Sequence, residues 1–158
     1  MEAAHIGELR RFFADGGTLH MLNDTSVEEM DTLWRYACQL LHDGDINGGR
    51  NLLQLLVYCN QWNGDYLLSL GLACQLGGAY QDACVYLAQA ARVLVTDPRP
   101  PWLLGQCAQA LDQEAEARTL YKSALKLAND RPEWRELTTS ARERLANGHG
   151  RAKQEKKR

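Results

Sequence analysis

A chain of 158 residues, 45% hydrophobic and 24% charged, is long enough for one domain with its own core, burying about 70% of the surface its unfolded form would expose. Its formal net charge of −2 is too small to point to a nucleic-acid partner, and no stretch approaches the length of a membrane span. The start MEAAHIGELRRFF has no basic leader followed by a long apolar core, so the expectation is a soluble, cytosolic protein without stable membrane association.

In chain order, Ile6, Leu9, Phe12 and Phe13 fall on or near one face of a short amphipathic helix, which Asp15-Gly16-Gly17 should end. Thr18 to Leu22 is apolar enough to pack against the first helical hairpin. Asn23, Asp24, Thr25 and Ser26 then precede Glu28 and Glu29, a run of N-cap residues and first-turn acids that predicts a helix start.

From there a step of 34 residues organises the chain. It relates Ala37, Gly71 and Gly105; Gly49, Ala83 and Ala117; Tyr36, Leu70 and Leu104; Leu53, Leu87 and Tyr121; and Leu56, Ala90 and Ala124. This is the tetratricopeptide period, in which each unit is a helical hairpin whose small residues let its two helices touch and whose large residues fill the space beside them. The units run Met30 to Asn63, Gly64 to Asp97 and Pro98 to Arg131, with Gly44 and Gly78 as left-handed turn residues between helices. The middle unit is the most regular. The third has Asp112 where the turn glycine would stand. The first is the loosest, with Gly49 for the usual Ala and Leu56 for a small residue, so its second helix is expected to dock less tightly. Pro98, Pro100 and Pro101 predict a stiff connector that delays the helix of the third unit.

After Asp130-Arg131-Pro132-Glu133, residues Trp134, Leu137, Ala141 and Leu145 recur at helical spacing and predict the capping helix that a solenoid needs over its last apolar face. Asn147-Gly148 should stop it. The remainder, GHGRAKQEKKR, carries a net +4 against −6 for the body, lacks any apolar residue larger than Ala, and reads as a solvated basic tail. The expected architecture is therefore all-α: an N-terminal helical segment over 1–29, open to a role in dimerisation; three tetratricopeptide repeats with a capping helix over 30–147; and a disordered tail over 148–158.

No constellation for catalysis emerges. A phosphate loop, an HExxH helix and a nucleophile elbow are missing from the sequence. Cys38, Cys59, Cys74, Cys84 and Cys107 make no CxxC pair and read as small apolar residues in a reducing compartment; His5, His20, His42 and His149 are scattered. The chain reads as a binding protein rather than an enzyme, with no cofactor and no metal.

Stacked hairpins present the first helix of each unit to a concave surface. Its inward positions are the second, fifth, ninth and twelfth of each repeat: Asp31, Trp34, Cys38 and Leu41; Asp65, Leu68, Leu72 and Gln75; Arg99, Trp102, Gln106 and Gln109. Of these, Trp34, Cys38, Leu41, Leu68, Leu72, Gln75, Trp102 and Gln106 are the candidate peptide-binding residues. Gripping a terminal carboxylate would call for several basic residues, and only Arg99 qualifies, so an internal, extended apolar segment is the better ligand. Trp34 and Trp102 are its natural anchors, unless they pack within the chain as core. Leu9, Phe12 and Phe13 are open to burial within the monomer or at a two-fold interface.

The stretch from Phe12 to Leu22, the repeats with LGLACQ, Gly78-Ala79-Tyr80 and Asp82-Ala83, the connector from Pro98 to Trp102, and Arg131-Pro132-Glu133-Trp134-Arg135-Glu136-Leu137 together resemble the class II chaperones of bacterial type III secretion, of the low-calcium-response H type. The resemblance implies a cytoplasmic, ATP-independent chaperone of hydrophobic translocators. It implies a concave face that receives a segment bearing spaced Pro and Leu residues, and an N-terminal helix that takes part in a homodimer. That family often places aromatic residues near the positions of Trp34, Ile46 and Leu87, of which only Trp34 is aromatic here. Two alternatives stay open: a regulatory adaptor that binds a transcription activator, and a generic peptide-binding scaffold.

Overall fold

The computed structural model describes residues 11–12, 15–18, 21 and 26–155, the stretch 148–155 as backbone alone. The described residues form seven α-helices and no strand: α1 (Val27–His42), α2 (Ile46–Cys59), α3 (Gly64–Leu76), α4 (Tyr80–Val93), α5 (Arg99–Ala110), α6 (Glu114–Ala128) and, after a 3-10 turn at Pro132–Trp134, α7 (Arg135–Glu155). Of the candidate dimer residues, Leu9 and Phe13 lie outside the described residues. Phe12 lies against Gly17, where an added Cβ would run into its ring. The predicted stop at Asp15-Gly16-Gly17 is formed: Gly16 is left-handed (φ 90°) and the Gly17 amide donates back to the Phe12 carbonyl at 2.9 Å.

The acid-rich start of α1 closes into a capping box. The Glu29 amide donates to Ser26 Oγ at 3.1 Å while the Ser26 amide donates to Glu29 Oε2 at 3.0 Å. Between the helices of each hairpin the backbone turns left-handed at Gly44 (φ 89°), Gly78 (φ 76°) and Asp112 (φ 58°). Asp112 thus adopts the conformation of the glycine it replaces, at a cost of about 1 kcal/mol.

Leu53, Leu56, Leu67, Leu70, Leu87 and Tyr121 are the large side chains of the core, each no more than 1% exposed. The first hairpin is the least extensively packed of the three, as its irregular pattern predicts, yet the glycine that marks it is required. At Gly49 a Cβ would stand 2.5 Å from Leu41 Cδ2 and 3.0 Å from the Ala37 carbonyl oxygen. Glycine is therefore what lets α1 and α2 touch, and Leu53 and Leu56 seal the contact.

The proline connector also differs from expectation. Pro98 is the N-cap, and Pro100 and Pro101 lie inside the first turn of α5. First-turn amides have no partner within a helix, so a proline there removes nothing and its fixed φ suits the start. At the other end, α7 runs on to Glu155, past Asn147-Gly148 where the pattern predicts a stop and a disordered tail. A helix-interior Gly costs only about 1 kcal/mol relative to Ala, and the Arg-Ala-Lys-Gln-Glu after His149-Gly150 is made of good helix formers. Leu137 and Ala141 are buried and Leu145 is half-buried against the last hairpin, as a cap requires.

Besides packing on its sequence neighbours, α1 touches α3, α3 touches α5 and α5 touches α7. Those four helices form the inner wall of the stack, and α2, α4 and α6 its outer layer.

Candidate functional site

On the inner wall the predicted residues divide into two groups. At the α1–α3 end, Trp34 is half-buried; its Nε1 donates to Ser69 Oγ at 3.0 Å and its ring lies 6.4 Å from that of Tyr66. Cys38 shares the Ser69 hydroxyl, and burial pushes its thiol up, an effect that this hydrogen bond only partly offsets. Leu68 is buried, and Leu41 is half-buried over Gly49. Both are held by the hairpins; Trp34 also packs against the core and, like Cys38, keeps only part of its surface exposed.

At the α3–α5–α7 end the wall opens into a cavity of about 450 Å³ lined by Leu72, Gln75, Leu76, Tyr80, Trp102, Leu103, Gln106, Ala110 and Arg144. Four predicted residues, Leu72, Gln75, Trp102 and Gln106, meet there. Leu72 and Leu76 are 36% and 54% exposed, apolar surface facing open space. Gln75 Nε2 donates to Gln106 Oε1 at 2.7 Å, a bridge between α3 and α5. Gln75 Oε1 and Trp102 Nε1 are both buried with no hydrogen-bond partner among the described residues. Both atoms are closed off from solvent, and unmet groups of this kind cost about 1–3 kcal/mol each.

Arg99, the one basic residue expected here, is spent within the chain. It forks onto Asp97 at 2.6–3.1 Å, reaches Asp65 at 3.4 Å and stacks 5.9 Å from the Trp134 ring, which Arg131 flanks at the same distance. Arg99 is therefore not free to grip a terminal carboxylate. Gln109 likewise turns away from the open face, its Oε1 accepting from Tyr121 Oη and Arg144 Nη1, both at 2.9 Å.

Leu76, Tyr80, Leu103, Ala110 and Arg144 escaped the sequence reading. A signal for three of them was present: Leu76, Ala110 and Arg144 are 34 residues apart, so the repeat register continues one position further round the helix and into α7. No group of three or more His, Cys, Asp or Glu side chains among the described residues is placed to hold a metal ion, and no described helix is long and apolar enough to cross a membrane.

No family model matches the sequence. Chaperone protein SicA of Salmonella typhimurium is 29% identical over 128 residues, covering 81% of this chain and 75% of the relative. Low calcium response locus protein H of Yersinia pseudotuberculosis is 28% identical over 131 residues, covering 83% and 78%. Among solved structures, a chain of a type III secretion complex from Aeromonas hydrophila matches with a TM-score of 0.88 at 26% identity, over 93% of this chain and 98% of that one. The Yersinia enterocolitica translocator chaperone SycD matches with a TM-score of 0.79 at 26% identity, over 84% and 98%. PcrH, solved with the chaperone-binding region of PopD, shares the fold with a TM-score of 0.78 at 23% identity, over 81% and 96%.

Proposed function

We propose that this chain, a homologue of the type III secretion translocator chaperones, holds a hydrophobic translocator in the bacterial cytoplasm before export by burying an extended apolar segment of it in the concave groove. The observation that carries the reading is the cavity shared by α3, α5 and α7. It is an opening on the inner wall of a translocator-chaperone fold, with exposed Leu72 and Leu76 on its rim. Groove and client each remove the other's apolar surface from water, at about 25 cal/mol per Å². That burial suppresses aggregation and premature membrane insertion of the client. Nothing in the cycle calls for nucleotide, and the sequence has no phosphate loop.

Trp34 and Cys38 engage the client near α1, and Leu72, Gln75, Trp102 and Gln106 engage it near α5. Leu68 and Leu41 support the wall from within the hairpins. Co-expression with the translocator encoded nearby should give a soluble complex recovered by pull-down. If Trp34→Ala combined with Leu72→Asp leaves that complex unchanged, the groove assignment is wrong.

A further inference from the structure

The cavity of the inner wall has a charged corner. Arg144 reaches it from α7 and is half-buried beside Leu72, Leu76 and Trp102. Its hydrogen bond among the described residues, to Gln109 Oε1, is to a neutral acceptor. Arg99, Arg131 and Arg142 each have a carboxylate, at 2.6, 3.4 and 2.7 Å respectively. Arg144 has none within salt-bridge distance among the described residues. Glu114, whose charge is felt at Tyr121, stays outside that distance.

A guanidinium drawn partly out of water without a counter-charge has lost hydration and gained little in return. It is also oriented in advance, because Gln109, itself held by Tyr121, fixes one edge of the fork. A ligand carboxylate would then find a directional partner whose ordering cost is already met. Asp31 and Asp65, the acids of the inner positions, are exposed near the starts of α1 and α3, with Asp65 held loosely by Arg99 at 3.4 Å.

We propose that the α7 end of the groove takes an apolar side chain of the client in the cavity together with a nearby Asp or Glu on Arg144, so that an acidic residue beside the apolar anchor fixes the register and direction of the bound segment. This rests on the groove reading proposed for the client. Gln106 Nε2, which makes no bond among the described residues, is placed at the same cavity to donate to a client carbonyl.

The test uses extended peptides of about 12 residues, roughly 40 Å end to end. Each has a central Leu and, within about three residues of it, an Asp, Asn or Lys, and binding to the full-length protein is read by fluorescence anisotropy. The Asp peptide should bind wild type about tenfold tighter than the Asn peptide, and the difference should shrink as salt rises. Arg144→Gln should abolish the preference, Arg144→Lys should keep part of it, and Arg144→Glu should turn it toward the Lys peptide. Thermal melts identify any variant that loses its fold; the charge-keeping and charge-reversing variants then carry the comparison. Equal affinity of wild type for the Asp and Asn peptides overturns this inference and leaves the groove standing. Peptide binding that is also indifferent to Leu72→Asp, or absent altogether, removes the groove reading with it.

Discussion

Replacing Gly105 by Ala sets helix propensity against packing, and the structure decides which wins. Ala is better than Gly inside a helix by about 0.5–1 kcal/mol, so α5 alone would gain. A Cβ at position 105, however, would stand 2.6 Å from Tyr121 Cε1 and 2.8 Å from Cδ1, and that ring is 1% exposed on α6. The ring cannot swing aside freely, because its hydroxyl donates to Gln109 Oε1 one turn further along α5. Forcing extra volume into such a slot costs about 1–3 kcal/mol, and breaking the hydroxyl bond about 1 more. The net expectation is a loss of about 1–3 kcal/mol. It should appear in urea titrations as a lower midpoint with an unchanged slope. Tyr121→Leu removes the ring, so the double variant should lose less than the sum of the two single changes, by at least about 0.5 kcal/mol. A midpoint for Gly105→Ala equal to or above that of wild type would refute the argument.

Further consequences come from single contacts. Burial, reinforced by Cys84, pushes the Cys107 thiol from 9.0 up to about 12. Its stabilising contribution is complete below the unfolded value and drains as pH rises toward 12, because the unfolded chain releases the proton first. Stability should fall above about pH 9 with a slope of at most about 1.4 kcal/mol per pH unit from this group, and Cys107→Ala should flatten that slope in denaturation curves taken across the range. Ser69→Ala leaves Trp34 Nε1 without its acceptor and should cost about 1 kcal/mol by the same assay; no change would mean that water replaces the hydroxyl. Sedimentation of the full chain beside one starting at Thr18 measures whether Leu9, Phe12 and Phe13 hold a homodimer. Loss of half the mass is expected if they do, and an unchanged mass counts against that interface.

The parts of this fold that were legible are those governed by period and by backbone chirality. The 34-residue step placed the hairpins, and the left-handed turns at Gly44, Gly78 and Asp112 came with it. What escaped was set by relationships between helices. Gly49 looked like a defect because a residue pattern cannot show that Leu41 fills the space an Ala would occupy. The prolines at 100 and 101 looked like a barrier, although they belong to the turn that has no use for their amides. On the inner wall, four groove residues converge on one cavity, but Leu41 and Leu68 are drawn into the hairpins and Arg99 into a fork with Asp97. Arg144 was missed because α7 was read as a cap alone. A helix that closes the core with Leu137 and Ala141 also turns another side toward the groove.

The central claim is that the inner wall itself binds the client, and Leu72 tests it most directly, being 36% exposed and at the cavity rim. Titration of the purified translocator's chaperone-binding segment onto wild type and Leu72→Asp by calorimetry should show at least about tenfold weaker binding for the variant. Its unfolding free energy from urea titration should stay within about 0.5 kcal/mol of wild type, as befits a surface position. Unchanged affinity in a variant that remains folded would contradict the account.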